Sequence, residues 1–416
     1  MKNYAAWRRA LGPGLLFSGG AIGTSHLVQS TRAGAMFGLA LVLVIVLANV
    51  LKYPSFRFGL DYAHATRRSL LAGYRELGRW QVWVFAILVA PLAPIIFAAV
   101  SAATSGIVIT LLGIPVAVPV LASGLLLICA ALILNGGYKL LDKVNGWLLG
   151  FLVLSTLVTT AVVLPRVEWG TLTDFAWTGN AAALFFIVAL VGFMPNPLDV
   201  SVGLSVWKLE SDLTVQDGER GTVEETRIAF LAPYVLTTVM ALCFCVMGAG
   251  VMHPQGIEPV SDAPGFAAQI VGLYREALGE EMAVLAGVSA LSVMLTTVIA
   301  AIDLYARTFS VAISGPPTAA DAGRPRKSYI AMIALFVGLA ICALLFLLRD
   351  FAAFLDFTTT ATFLAAPVIA VFNHLVVTRC AMPDEARPSS GMRALSWVAI
   401  AVMSALAVTF LVLRFG

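Results

Sequence analysis

The chain reads as an all-α polytopic membrane protein of about eleven transmembrane helices. Three observations lead there. Its 416 residues are 60% hydrophobic and 12% charged, with a mean hydropathy of +0.93, whereas a soluble domain carries about 25% charged residues. The apolar residues fall in long runs. Asn49 is the one strongly polar side chain between Phe37 and Leu51, and no charge occurs between Trp80 and Asn135. A run of roughly 20 apolar residues crosses a bilayer as a helix, because each backbone polar group is then satisfied within the segment. Finally, two of the runs are interrupted near their middles by Gly or Pro.

Taken in order, the spans are Gly12 to Ala33, Phe37 to Leu60, Trp80 to Leu112, Pro115 to Leu134, Val144 to Val163, Ala181 to Trp207, Ile228 to Val251, Met282 to Tyr305, Ile330 to Leu348, Phe351 to Val376 and Leu395 to Leu413. Cytoplasmic loops attract Lys and Arg. With the N-terminus inside, only Arg32, Arg166, Arg275, Arg349 and Arg414 fall outside, while most other cations gather on the inner side. The expected topology is therefore N-terminus cytoplasmic and C-terminus outside, in the inner (plasma) membrane of a bacterium. No cleavable signal peptide precedes Arg32.

The polar stretches Leu209 to Thr226, His253 to Glu281 and Pro316 to Lys327 are too short for an appended domain. Ala65 to Leu77 has the pattern of an interfacial helix, with Arg67, Arg68 and Arg75 towards headgroups and Leu70, Leu71 and Tyr74 towards acyl chains. Cys129, Cys243, Cys245, Cys342 and Cys380 lack metal-ligand spacing with histidine and read as packing residues. The net charge of +3 is dispersed over loops, so nucleic acid is excluded as a partner. No cofactor motif and no nucleophile–base pair stand out, which excludes an enzyme reading. The expected partners are the lipid bilayer and a small solute or ion; nothing fixes an oligomeric state.

The interruptions carry the functional signal. Span one holds Gly19, Gly20 and Gly23, followed by Thr24, Ser25 and His26. Span six holds Gly192, then Met194, Pro195, Asn196 and Pro197. Proline removes a ladder hydrogen bond, and glycine weakens a helix. Non-helical backbone is expected near Gly19 to Thr24 and Phe193 to Pro197. Both breaks sit near the bilayer midplane, on helices that run in opposite directions and open each candidate half. That is the pattern of an inverted-repeat transporter with discontinuous helices at its solute site. Unwound backbone there must be satisfied by protein, water or ligand.

At these residues the chain resembles the natural resistance-associated macrophage protein (NRAMP) family of metal transporters, over most of spans one to ten. Gly12-Pro13-Gly14 opens span one and Ala33-Gly34-Ala35 closes it, as in that family. The run from Gly137 through Tyr138, Lys139, Leu140, Leu141, Asp142 and Lys143 to Val144 matches its loop before the fifth helix, and Met194-Pro195 its sixth-helix motif. The resemblance implies a leucine-transporter-type fold and alternating access. Residues 1–165 would form the first repeat, 166–378 the second, and 379–416 a cytoplasmic loop with an extra helix. It also implies a metal site, and there the chain departs. The family's Asp-Pro-Gly-Asn tetrad stands as Gly23, Thr24, Ser25 and His26. The His after the sixth-helix Pro is Asn196, and two acidic residues of the family's proton route match Pro91 and Pro94.

A dication in low dielectric needs anionic or good neutral ligands, and Mn²⁺ favours carboxylate oxygen. With Gly23 in place of the acid, the site is expected to take a small carboxylate-bearing or zwitterionic solute. Gly20, Gly23, Thr24, Ser25, His26, Met194 and Asn196 would line it, with hydroxyls at a half-helix N-terminus cradling a carboxylate. One alternative keeps metal transport with an altered ligand set drawn from His26 and Met194. Another is a non-transporting membrane sensor or scaffold. Intramembrane ionisable residues are functional candidates by default. Asp199 and Lys52 lie at similar depth and are candidate coupling groups that could pair; Lys52 could instead snorkel to headgroups. Asp356 in outer span ten is a third candidate. Asp303 is expected to pair with Arg307, four residues on.

Overall fold

The computed structural model describes residues 17, 19–136, 138–213, 221–316 and 326–416, with the side chains of 138–145 and 213 set aside. The Gly12-Pro13-Gly14 motif, Lys2, Arg8, Arg9 and Gly137 lie outside the described residues.

Helices dominate the described residues. After the first break, a π-helical turn Ser25–Ser30 continues into α1, Thr31–Phe37. Then come α2 (Val42–Thr66), α3 (Leu70–Leu77), α4 (Arg79–Val89), α5 (Leu92–Leu112), α6 (Val118–Leu134) and α7 (Tyr138–Val163). The second half holds α8 (Ala181–Phe193), α9 (Val200–Leu213), α10 (Val223–Met247), α11 (Ala263–Leu278), α12 (Glu280–Ser314), α13 (Lys327–Phe346), α14 (Phe351–Arg379) and α15 (Ser390–Phe415). Among the described residues eight spans are long and apolar enough to cross a membrane, and α6 and α8 are shorter apolar helices. Together with the interrupted first span they form the expected set.

The helix starts follow from local chemistry. Asn180 accepts from the Ala182 and Ala183 amides at the head of α8, and Asp350 accepts from Ala353 N at the head of α14. Thr222 and Glu225 form a reciprocal capping box on α10. Each arrangement satisfies amides that have no partner within the helix. Proline divides span three: α4 stops at Val89 and α5 resumes at Leu92, so Pro91 and Pro94 mark a bend at the head of α5.

Packing draws the two breaks together. α8 lies on α14, α9 on α2, α10 on α2, and α12 on α5. Between α1 and α10 the backbones touch. A Cβ on Gly34 would fall 1.9 Å from Cys245 O, so only glycine permits the approach.

One expectation fails. Leu70, Leu71 and Tyr74 of α3 do not face lipid but are fully buried in protein. The Tyr74 hydroxyl donates to Asn373 Oδ1 at 2.6 Å, and Arg75 donates to the Val311 and Ala312 carbonyls. An amphipathic pattern records an apolar face without saying whether lipid or α14 covers it. Here a buried hydroxyl needed a partner, and α14 supplies one.

Candidate solute site at the two helix breaks

In the first span Phe17 and Gly19–Ala21 are helical, Ile22 and Gly23 form a turn, and helix resumes at Thr24. The expected break is therefore narrower than Gly19 to Thr24, and the π-helical turn after it absorbs the misfit. The Thr297 hydroxyl of α12 lies 3.0 Å from both Gly19 O and Val293 O. It closes the carbonyl exposed on the near side of the turn. A Cβ on Gly23 would meet Thr297 Cγ2 at 2.9 Å. Thr297 thus stands where a side chain at position 23 would point.

The sixth span is open over a longer stretch. Helix α8 ends at Phe193, and the backbone from Met194 to Asp199 is non-helical until α9 begins. The Met194–Pro195 peptide is cis. Lys52 reaches across from α2 and is completely buried. Its Nζ donates to Val191 O at 2.6 Å, Gly192 O at 2.8 Å and Asn196 O at 3.1 Å. Lys52 therefore does not snorkel. It makes no salt bridge to Asp199, though the two interact through space. Asp199 is buried, with the Tyr305 hydroxyl beside its carboxyl as the nearest side-chain partner. Gly192 is fixed by packing, since a Cβ there would fall 2.0 Å from Thr359 O of α14.

A cavity of about 50 Å³ lies between the breaks. Its polar lining comes from Thr24, Ser25, Asn196, Thr297 and Tyr305, with Trp207 also on the wall; the rest is Gly20, two Phe side chains, Pro197 and aliphatic residues of α5, α9 and α12. Of the residues expected at the site, Gly20, Thr24, Ser25 and Asn196 line this cavity, whereas Gly23, His26 and Met194 do not. His26 is buried behind the wall, its Nδ1 2.6 Å from Ser25 Oγ and its Nε2 without a partner. Met194 is buried in the core cluster. The Ser25 hydroxyl donates to Ala21 O at 2.8 Å. Sequence reasoning missed Thr297 and Tyr305, which sit on the uninterrupted α12, and Trp207, which lies about two turns beyond the second break; none carries a local signal.

Two ion-pair clusters sit on the helices around the cavity, outside its lining. Towards the head of α14, Arg32 clamps Asp356 through two bonds of 2.6 and 3.0 Å. Gln29 donates to the same carboxylate, and Arg32 stacks on Phe186 of α8 at 5.1 Å. Asp356 is thus engaged in an ion pair and does not line the cavity. Towards the tail of α12, the wall residue Trp207 donates from Nε1 to Asp303 Oδ2 at 2.8 Å. Asp303 pairs with Arg307 at 2.7 Å as expected, and Arg307 also holds Glu210. Among the described residues no group of three His, Cys, Asp or Glu side chains is placed to hold a metal ion.

Residues 14–413 match the model of the natural resistance-associated macrophage protein-like family. The chain belongs to that family. An uncharacterized protein of Pasteurella multocida is 32% identical over 88% of this chain and 84% of its own length. The divalent metal cation transporter MntH of Xanthomonas campestris is 23% identical, over 63% of this chain and 61% of that transporter. Among solved structures, a mutant of the Eremococcus coleocola manganese transporter superposes with a TM-score of 0.71 at 15% identity, covering 97% of this chain and 86% of that one. MhsT in complex with L-phenylalanine gives 0.63 at 15% identity, covering 95% and 98%. This NRAMP-family chain therefore has the leucine-transporter-type fold: a multi-pass transporter of inverted five-helix repeats, with its first and sixth helices discontinuous.

Proposed function

We propose that this chain is a secondary transporter working by alternating access, whose site takes a small carboxylate-bearing or zwitterionic organic solute in preference to a divalent metal ion. The observation that supports this reading is the polar lining of the cavity. Thr24, Ser25, Asn196, Thr297 and Tyr305 offer hydroxyls and one amide, without carboxylate, thioether or imidazole on the wall. Ser25 and Thr297 spend their hydroxyl hydrogens on backbone carbonyls, which leaves Thr24, Tyr305 and the Asn196 amide to donate to an anionic or zwitterionic head, while all five compensate poorly for stripping water from a dication. About 50 Å³ admits a solute of only a few heavy atoms. In this reading the repeats 1–165 and 166–378 rock about the site, 379–416 adds a peripheral helix, and the N-terminus is cytoplasmic. Arg32–Asp356 closes the outer side, and the Trp207–Asp303 contact the inner. Asp199, a buried carboxyl beside the Tyr305 hydroxyl, is the proposed carrier of a coupled proton.

A second reading has its own support: the relatives named above include divalent metal cation and manganese transporters. A thermal-shift screen of the purified protein separates the two, because a ligand that binds only the folded state raises its melting temperature. Small carboxylates or amino acids are expected to raise it and Mn²⁺ to leave it unchanged. A rise with Mn²⁺ alone would favour the metal reading.

A further inference from the structure

Lys52 occupies a position that an ordinary packing lysine would not. Its Nζ is surrounded by three backbone carbonyls, those of Val191, Gly192 and Asn196, at 2.6–3.1 Å. Carbonyl oxygens only accept, so three such bonds use three N–H donors, which the ammonium has and the neutral amine lacks. The carbonyls come from the C-terminal end of α8, where the helix dipole is negative, and from the open backbone beyond it. Converging carbonyls at the C-terminal end of a discontinuous helix are the groups with which such transporters coordinate cations, replacing the ion's hydration shell. The cage is held in shape from outside, because Gly192 touches the α14 backbone too closely to move towards it. Asp199, which interacts with Lys52 through space, supplies a nearby carboxyl.

We infer that Lys52 is a built-in cation: its ammonium fills a carbonyl cage at the break of the sixth span that would otherwise bind a monovalent cation from solution. The cage is a latent cation site, specific for a weakly hydrated ion of ammonium size and charge. The chain needs no dissolved cation at this break in any step of its cycle. This holds whichever solute occupies the neighbouring cavity.

The test removes the tether and offers the ion back. Wild type, Lys52→Ala and Lys52→Met are purified and melted in ammonium, methylammonium, K⁺, Na⁺ and choline at equal ionic strength. Lys52→Ala opens the cage, whereas Lys52→Met fills it with a neutral chain of similar length. Wild type is expected to melt alike in all five salts. Lys52→Ala is expected to melt lowest in choline and to recover by at least about 3 °C in ammonium or K⁺. Lys52→Met is expected to be destabilised equally in every salt. The inference is overturned if Lys52→Met melts with wild type, since the carbonyls then need no cation. It is equally overturned if Lys52→Ala is not stabilised by ammonium or K⁺ over choline, including failure to fold in every salt.

Discussion

In the first span the chain leaves its helical path for two residues, Ile22 and Gly23; in the sixth it stays non-helical from Met194 to Asp199. The difference in width decides what must fill the gap. A two-residue turn followed by a π-helical turn exposes little backbone, and the Thr297 hydroxyl suffices for the Gly19 carbonyl. The longer opening leaves two carbonyls of the last α8 turn without their regular helical partners and turns a third, of Asn196, to the same point, and a buried ammonium holds all three. One break is closed by a neutral, short-range donor and the other by a charge carried in from α2. Backbone that a substrate ion could satisfy is satisfied by the protein itself in both places.

That contrast orders the expected effects of mutation. Lys52→Ala has the largest, because it strands three buried carbonyls and removes the cation near the buried Asp199. Removing one member of a buried charged arrangement costs about 3–5 kcal/mol, measurable as lost stability in chemical unfolding of detergent-solubilised protein. A loss below about 1 kcal/mol would mean the charge is dispensable and would erase the distinction between the breaks. Gly192→Ala comes next. Its Cβ would overlap Thr359 O, so α8 and α14 must separate, at about 1–3 kcal/mol for overpacking. The same unfolding assay, run on wild type and variant together, checks it.

At the first break the effect shrinks. Thr297→Val removes a single neutral hydrogen bond to Gly19 O, worth about 1 kcal/mol, while Thr297→Ser keeps it and is expected to stay near wild type. If Thr297→Val proved as damaging as Lys52→Ala, the two closures would be of equal weight. Smallest in stability is Asp199→Asn, which preserves shape and leaves an amide oxygen for the Tyr305 hydroxyl. Its expected effect is functional. Solute accumulation driven by a pH gradient in liposomes is lost, while counterflow exchange without a gradient remains. Undiminished pH-driven uptake would exclude Asp199 as the proton carrier.

The sequence was informative where the signal is local. Apolar runs place the spans, Gly and Pro place both interruptions, and the four-residue spacing of Asp303 and Arg307 foretells their pairing. Gly20, Thr24, Ser25 and Asn196 were legible because they flank those interruptions, and they do line the cavity. What the chain hides is tertiary. The partners of Lys52 are backbone carbonyls, which have no letter in a sequence. Thr297 and Tyr305 lie on an unbroken helix and gain meaning only because α12 passes beside both breaks. His26 and Met194, chosen for their ligand chemistry, turn out to be buried away from the wall, because the π-helical turn and the Met194–Asp199 loop direct them elsewhere. The resemblance supplied the architecture; the substituted tetrad from Gly23 to His26 signalled changed chemistry but not what fills the space.

Resident side chains satisfy the open backbone of both breaks, Thr297 at the first and Lys52 at the second, in place of an ion from solution. The most direct test is Mn²⁺ uptake by the wild-type chain in proteoliposomes, measured alongside protein-free liposomes across a micromolar concentration series. Uptake is expected not to saturate and to stay at the protein-free level. Saturable Mn²⁺ uptake above that level would contradict it.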